Sequence, residues 1–375
     1  MSRDRPIRFA ADVGSRSAVR AAIDAGDPLP GTAGFAGELD GRLVRDVLGR
    51  VPLYVEGASI DGDDLPALDR WAFSPTDLAD PVSFPAGAVG PADDPTRVWT
   101  LPDPDPKDDH ALALDRLERA ILSSVATLRT DGLAVAFSGG VDSALLAALL
   151  DAPLYVAGFP DSHDIAAARA AAESMGRADD LRVVELDLDT LGRAVPTVAS
   201  ATGRTNAMDV GIALPLYLAA EAAAADGVER LALGQGADEL FGGYEKVVRL
   251  DHRVAADTTR GAVREQIATL SRQLPRDVLA IQAAGVDPQT PYLHDDVVSV
   301  ALALPTELFV ADGTRKRALR LLAGGYLPAS VANREKKALQ YGSRAARELD
   351  RLARRAGYKR RMDDHVTRYV ESRLE

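Results

Sequence analysis

One segment constrains this chain more than any other: Leu133-Ala134-Val135-Ala136-Phe137 followed by Ser138-Gly139-Gly140-Val141-Asp142-Ser143. Five consecutive apolar residues predict a strand buried on both faces, and such strands belong to parallel sheets covered by helices. From about Asp142 to Leu150 the spacing turns helical, so the strand ends in a tight loop that opens a helix. The order then recurs. Strand Leu154–Gly158, a helix from about Asp164 to Met175, strand Arg182–Leu186, a helix around Pro215–Ala225 and strand Arg230–Leu233 follow one another. This alternation predicts an α/β fold built on a doubly wound parallel sheet. Leu114, Leu117, Ile121, Val125 and Leu128 mark an amphipathic helix ahead of it, and from about residue 251 the chain reads as mostly helical.

The first hundred residues have a different texture. Gly34–Leu39, Val51–Val55 and Trp71–Phe73 read as short strands between turns, so a small β-rich domain low in helix is expected over 1–100. Leu101-Pro102-Asp103-Pro104-Asp105-Pro106 places prolines at alternate positions, which blocks helix and removes ladder donors. We expect a linker over 101–110, an α/β domain over 111–250 and a helical C-terminal lobe over 251–375.

Charge and composition narrow the chemistry. The 375 residues carry 44 basic and 56 acidic side chains, a net charge of −12. A surface this acidic repels phosphate backbones and anionic lipid, which argues against a general nucleic-acid or membrane binder. No segment approaches 18 uninterrupted apolar residues and no signal-peptide pattern opens the chain, so a cytoplasmic protein is expected. Cysteine is absent, which removes thiol nucleophiles, disulfides and cysteine-ligated metal from these residues. The bases comprise 38 Arg and 6 Lys, the acids 41 Asp and 15 Glu. Either a GC-rich genome or adaptation to high salt produces such a bias, and the excess of Asp favours the halophilic reading.

The loop 138–143 has the composition of a phosphate cradle. Gly139 and Gly140 let backbone approach an anion, the helix start adds N–H donors, and Ser138 and Ser143 add hydroxyls. Asp142 would repel phosphate unless a cation stood between them, so it is expected to hold Mg²⁺. A second glycine-rich run follows the strand Leu231–Leu233: Gly234-Gln235-Gly236-Ala237-Asp238-Glu239-Leu240-Phe241-Gly242-Gly243-Tyr244. Ligands of open α/β sheets lie beyond the carboxyl ends of strands, so Asp142 and Asp238 are expected to serve the same phosphates through one or two metal ions. The five histidines form no ligand pattern, and a zinc site is not expected.

The kinase-type P-loop string is absent. Ser-Gly-Gly-Val-Asp-Ser instead resembles the signature of ATP pyrophosphatases, and together with Gly-x-Gly-Ala-Asp-Glu-Leu-Phe-Gly-Gly-Tyr it resembles the asparagine synthetases and their β-lactam synthetase relatives. The similarity extends from about 111 to 345. It takes in Tyr155–Phe159 with Asp161–Asp164, Gly285–Leu293, Lys316 to Arg320 and Leu327–Val331. The resemblance implies activation of a carboxylate, that of aspartate, as an acyl-adenylate, followed by displacement of AMP by ammonia. It implies that Ser138, Gly139, Gly140, Asp142 and Ser143 hold pyrophosphate and Mg²⁺, with Asp238 as second metal ligand. Ala136, Ala157, Leu233 and Gly234 would contact the nucleoside through their backbone, with Gly236 beside them on the second loop. Arg334-Glu335-Lys336 resembles the family's Arg-x-Lys, which gives Lys336 the task of stabilising charge on the α-phosphate.

The small first domain resembles a truncated remnant of the family's glutaminase domain. Without cysteine it is expected not to hydrolyse glutamine, so free ammonia or a separate ammonia-supplying protein would provide nitrogen. Other departures lie nearer the chemistry. Gln235 stands where the asparagine synthetases have Glu and the β-lactam synthetases Tyr, and a neutral amide cannot take a proton. Gly211 stands where an Arg that grips aspartate is expected, while Gln289 and His294 replace Arg and Asp. Two other readings therefore stay open: an ATP pyrophosphatase acting on a different carboxylate or a tRNA base, and a non-catalytic nucleotide-binding regulator. Oligomeric state is not legible.

Overall fold

The computed structural model describes residues 7–57, 70–249, 255–334 and 343–374. Its contacts divide the chain into two interleaved units: Met1–Leu128 with Gly234–Pro275 and Thr290–Leu322, and Arg129–Leu233 with Arg276–Gln289 and Ala323–Glu375.

In the first unit, strands β1 (Arg8–Phe9), β2 (Phe35–Leu39), β3 (Arg42–Arg45), β7 (Ala88–Gly90) and β8 (Thr96–Arg97) form an antiparallel sheet in the order β1-β2-β3-β7-β8. Strands β4 (Tyr54–Glu56), β5 (Trp71–Ala72) and β6 (Pro81–Ser83) form a smaller one, in the order β5-β4-β6. Side chains alternate across the larger sheet. Phe35, Leu39, Val44 and Val89 pack with Val19, Ala22 and Trp99, whereas Ala36, Leu43 and Ala88 pack with Leu53, Trp71 and Phe84. Val19 and Ala22 belong to helix α1 (Arg16–Ala25), which the sequence reading of this region as low in helix did not foresee. Its signals are local: Ser15 accepts a hydrogen bond from Ala18 N as N-cap, and Gly26 closes the helix in the left-handed region.

The stretch expected to link domains is anchored along its length within this unit. Arg264 donates to the carbonyls of Leu101 and Pro102, Arg260 to that of Pro104, and Lys107 N to that of Ala303. Arginine side chains supply the partners that proline removes from the backbone ladder. Helix α2 (His110–Ala126) packs against α10 (Asp295–Leu302), where buried Ser124 Oγ donates to Pro291 O at 2.7 Å. The β-rich region is joined to the 290–322 segment by buried charges. Arg50 Nε donates to Asp46 Oδ1 at 2.9 Å, and Nη1 stands 2.8 Å from Asp295 Oδ1 and donates to Leu293 O at 2.6 Å.

The second unit is the α/β domain. Strands β9 (Leu133–Ala136), β10 (Leu154–Gly158), β11 (Leu181–Glu185), β12 (Arg230–Ala232) and β13 (Asp287–Gln289) form a sheet in the order β11-β10-β9-β12-β13. All four pairings are parallel. The helices α3 (Val141–Leu149), α4 (His163–Ser174), α5 (Leu188–Thr202) and α6 (Ala207–Ala225) separate the strands. The expected α/β class is therefore present, with one strand more than the sequence indicated. The sequence from 251 onward reads as helical, yet Asp287–Gln289 pairs with β12 at the sheet edge, the position in which a strand tolerates Pro288. This pairing draws residues 276–289 into the second unit, which is why the units interleave.

Helix α5 was not anticipated, and α6 begins eight residues before the expected Pro215. Both contain an internal proline, Pro196 and Pro215. A proline there loses a backbone bond and normally costs about 3 kcal/mol. Burial of Leu191, Val195, Val198, Val210, Leu214 and Leu218 in one core offsets it. Helix α6 is also long and apolar enough to cross a membrane by length and composition, and these same buried contacts identify it as a core helix.

The first unit further includes α7 (Ala237–Leu240), α8 (Glu245–Arg249), α11 (Thr306–Phe309), the β14–β15 hairpin (Val310–Ala311, Thr314–Arg315) and most of α12 (Arg317–Ala323). Helix α9 (Thr259–Gln282) carries the division between units at Pro275. The second unit ends with α13 (Ala329–Ala332), α14 (Ala345–Arg355) and α15 (His365–Glu371).

Candidate active site

In the order β11-β10-β9-β12-β13 the chain leaves central strand β9 toward β10 on one side and later returns to β12 on the other. The gap between β9 and β12 is the switch point of the sheet, where open α/β domains place ligands beyond the strands' carboxyl ends. The loop 138–143 leaves from β9 at this point. Ala136, Ala157 and Leu233 stand at the carboxyl ends of the neighbouring strands β9, β10 and β12, and Leu233 N donates to Gln289 O at 2.8 Å. Sequence reasoning thus named backbone positions that the sheet brings side by side.

The loop is built tightly. Gly139 has φ +71°, and a Cβ there would lie 2.4 Å from the Ala167 carbonyl oxygen of α4, so only glycine fits. Ser138 N donates to Ser143 Oγ at 3.1 Å, and the two hydroxyl oxygens are 3.3 Å apart. Gly140 caps α3 without a side-chain hydrogen bond, which leaves the positive end of the helix to the loop. Asp142 lies in the first turn and is 2% exposed. Hydroxyls, amides and a helix end converge here on one small volume, a suitable arrangement for phosphate oxygens.

The Ala167 oxygen that hems in Gly139 also accepts from Arg334 Nη1 at 2.6 Å. Sequence reasoning assigned Arg334 no task, although it opens the Arg-x-Lys motif. Its bond to α4 fixes the chain just before Lys336, which itself lies outside the described residues.

Asp238 and its loop belong to the first unit. Gly236 precedes α7, and Gln235, just before it in the chain, is partly buried. Asp238 Oδ1 stands 2.5 Å from Nζ of Lys316, whose side chain is 6% exposed against 32% for Asp238. A Cβ on Gly243 would meet Asp238 Oδ1 at 2.0 Å and Lys316 Cε at 2.5 Å. Glycine at 243 is thus what lets this ion pair lie against the backbone. Lys316 was legible only as part of a spacing match. Its scarcity was the overlooked signal: in a chain with 6 Lys and 38 Arg, a buried lysine is a choice of a compact point charge over a planar fork.

Glu239, adjacent and buried, accepts a hydrogen bond from Tyr244 Oη. Burial first, and the neighbouring Asp238 second, raise its carboxyl pKa above the ordinary value. A folded pKa above the unfolded one gives stability that is complete below the unfolded value and lost as pH rises through the folded one. Glu239→Gln keeps the acceptor for Tyr244 and removes the charge. We expect the variant to melt at the same temperature as the parent near pH 4 and at a higher one near pH 8. Parallel melting curves across that range would refute the buried ionisation.

The other departures have structural settings. Gly211 faces α14, where an added Cβ would lie 3.3 Å from Ala346 Cβ, so the position sits in a close helix–helix contact. Gln289 is buried and donates to Asp287 Oδ2 at 2.7 Å. His294 caps α10 by accepting from Asp296 N at 3.3 Å, and burial lowers its pKa. Among the described residues no group of three or more His, Asp or Glu could hold a metal ion. The donors present fit Mg²⁺ in the way that ion is usually held, by one or two carboxylates with phosphate and water completing its shell. Asp142 meets that requirement, and Asp238 meets it beside a cation already in place.

The family profile for asparagine synthase matches residues 116–280 and 260–371. A protein of Methanocaldococcus jannaschii, provisionally named glutamine-hydrolysing asparagine synthetase 1, is 30% identical over 292 residues, 68% of this chain and 53% of its own length. The glutamine-hydrolysing asparagine synthetase B of Escherichia coli is 27% identical over 351 residues, 84% of this chain and 62% of its own. An asparagine synthetase domain-containing protein of Saccharomyces cerevisiae, YML096W, is 32% identical over 117 residues, 30% of this chain and 21% of its own. The chain therefore spans a little over half the length of the first two relatives. Both glycine-rich loops, 138–143 and 234–243, fall inside the profile match, and the chain belongs to the asparagine synthase family.

Proposed function

We propose that this chain forms an amide from a carboxylate, ATP and ammonia, with aspartate as the acyl substrate and asparagine as product. The observation that carries this reading is the position of the Ser-Gly-Gly-Val-Asp-Ser loop at the switch point of the sheet, backed by the uncapped start of α3. A carboxylate oxygen attacks the α-phosphorus, the bond to the bridging oxygen breaks, and pyrophosphate leaves. Ammonia then adds to the acyl carbon, and AMP departs with the former carboxylate oxygen.

In this scheme Ser138, Ser143 and the amides around Gly139 and Gly140 hold the leaving pyrophosphate, and the backbone at Ala136, Ala157, Leu233 and Gly234 holds the nucleoside, with Gly236 beside it. Mg²⁺ held by Asp142 and Asp238 would neutralise charge on the phosphates. Lys336 would stabilise the α-phosphate as charge develops on it. Gln235 can accept a hydrogen bond from ammonia and orient it but takes no proton, so that proton must pass to phosphate or water. These residues include no cysteine, so no thiolate within them can open glutamine, and nitrogen is proposed to come as free ammonia or from another protein.

A second reading, a different acyl substrate, is favoured by Gly211, which offers no guanidinium to grip aspartate and sits in a helix contact where an added Cβ would lie 3.3 Å from Ala346 Cβ. Isotope exchange between pyrophosphate and ATP separates the two. Exchange that depends on aspartate is the expected result. Exchange with other acids but not aspartate selects the second reading, and absence of exchange with every acid removes adenylation altogether.

A further inference from the structure

The first unit contains a cavity of about 410 Å³ between the β-rich region, the 97–101 strand exit and helix α9. Its lining carries four arginines, Arg45, Arg97, Arg264 and Arg272, and neither Asp nor Glu. On a chain with 56 acidic and 44 basic side chains, this lining has the opposite sign to the protein as a whole. We infer that the cavity binds a phosphorylated small molecule, its phosphate on the arginines and its organic body against Leu101, Pro85 and Ala268.

The arginines differ in how they are held. Arg45 is 1% exposed and donates only to neutral oxygens: Phe84 O at 2.7 Å, Ser83 Oγ and Gly49 O at 2.9 Å, and Val51 O at 3.1 Å. Among the described residues it has no carboxylate within ion-pair distance, and its neighbour Asp46 pairs with Arg50. Burial lowers its pKa, with the nearby charge of Asp46 opposing the shift, so the guanidinium sits in a poorly solvated setting. Arg264 is pinned by the carbonyls of Leu101 and Pro102, with the exposed Asp103 carboxylate at 3.8 Å. Arg97 and Arg272 are exposed at the mouth. Two buried or pinned cations together with two exposed ones give the lining a positive potential, and Ser83, Thr100 and Ser271 add hydroxyls. Arg45 and Arg264 spend most of their donors on carbonyl and hydroxyl oxygens and supply mainly charge. The planar forks of Arg97 and Arg272 are therefore the groups that would pair with phosphate oxygens, which is the reason to assign phosphate. The volume falls in the range of small-molecule sites, well above what a bare oxyanion occupies, and this is the reason to assign an organic body.

The test uses the whole chain and follows its melting midpoint in inorganic phosphate, ribose 5-phosphate and citrate, each against chloride of equal ionic strength. Ribose 5-phosphate is expected to stabilise at lower concentration than inorganic phosphate or citrate. The Arg97→Glu/Arg272→Glu variant should raise its half-saturating concentration by about tenfold or more, whereas Ser138→Ala should not change it. Both arginines are exposed, so the substitutions should leave the fold intact, and Arg97→Gln should give an intermediate response. The proposal is overturned if no anion stabilises beyond chloride, if the response survives the charge reversal, or if Ser138→Ala removes it. A stronger response to citrate would overturn the assignment to phosphate.

Discussion

Asp142→Asn is expected to reduce pyrophosphate–ATP exchange by on the order of 10²–10³-fold or more while the melting temperature stays within a few degrees of the parent's. The rate estimate follows from removing one group that stabilises charge at the reacting phosphates. The stability estimate follows from local structure. In the first turn of α3 an acidic side chain gains about 0.3–1 kcal/mol from the helix dipole. At 2% exposure it also bears the cost of losing water, and the asparagine amide bears less of it. These terms oppose one another, so a folded and inactive protein is the result. An active Asp142→Asn protein would mean that the loop holds its anion without a metal. A protein that unfolds would mean that the carboxylate serves the fold, and the loop would lose its strongest claim to catalysis.

The candidate site was legible where local rules and tertiary packing agree. A five-residue apolar run, two glycines and a helix start can be read residue by residue, and β9, the loop and α3 lie where those features place them. The sequence was opaque where packing overrode propensity. Pro196 and Pro215 lie inside helices, where local rules disfavour proline, yet their helices persist because one face of each is sealed in the core. Strand β13 has three residues including Pro288, too short to leave a periodic signal and stable only because β12 is present to receive it. The Asp238–Lys316 pair joins residues 78 apart in the chain, and no spacing rule reaches that far. The same limit hid Arg334, whose partner is the Ala167 carbonyl of a helix read separately.

Arg50→Met is expected to destabilise the first unit by about 3–5 kcal/mol, the usual cost of breaking a buried ion pair by removing one partner. Arg50, Asp46 and Asp295 are all buried, and the change leaves two carboxylates without their cation. Each keeps some support. Asp46 still accepts from the backbone amides of Phe35, Leu48 and residue 50, and Asp295 from Thr32 N at 2.7 Å and Thr32 Oγ1 at 3.0 Å. That support argues for the lower end of the range. Both tryptophans, Trp71 and Trp99, are buried in the same unit, so the fluorescence midpoint in urea reports this unit and not the parallel sheet. A second measurement separates charge from lost packing. Burial already raises the Asp295 pKa in the intact protein, and removing Arg50 raises it further. Folded pKa values above the unfolded ones make stability grow as pH falls, so the variant should recover part of its loss between about pH 7 and pH 5. A cavity left by a missing side chain would show no such recovery. A loss that does not depend on pH, or one below about 1 kcal/mol, would show that shape and not the paired charges holds the β-rich region to residues 290–322.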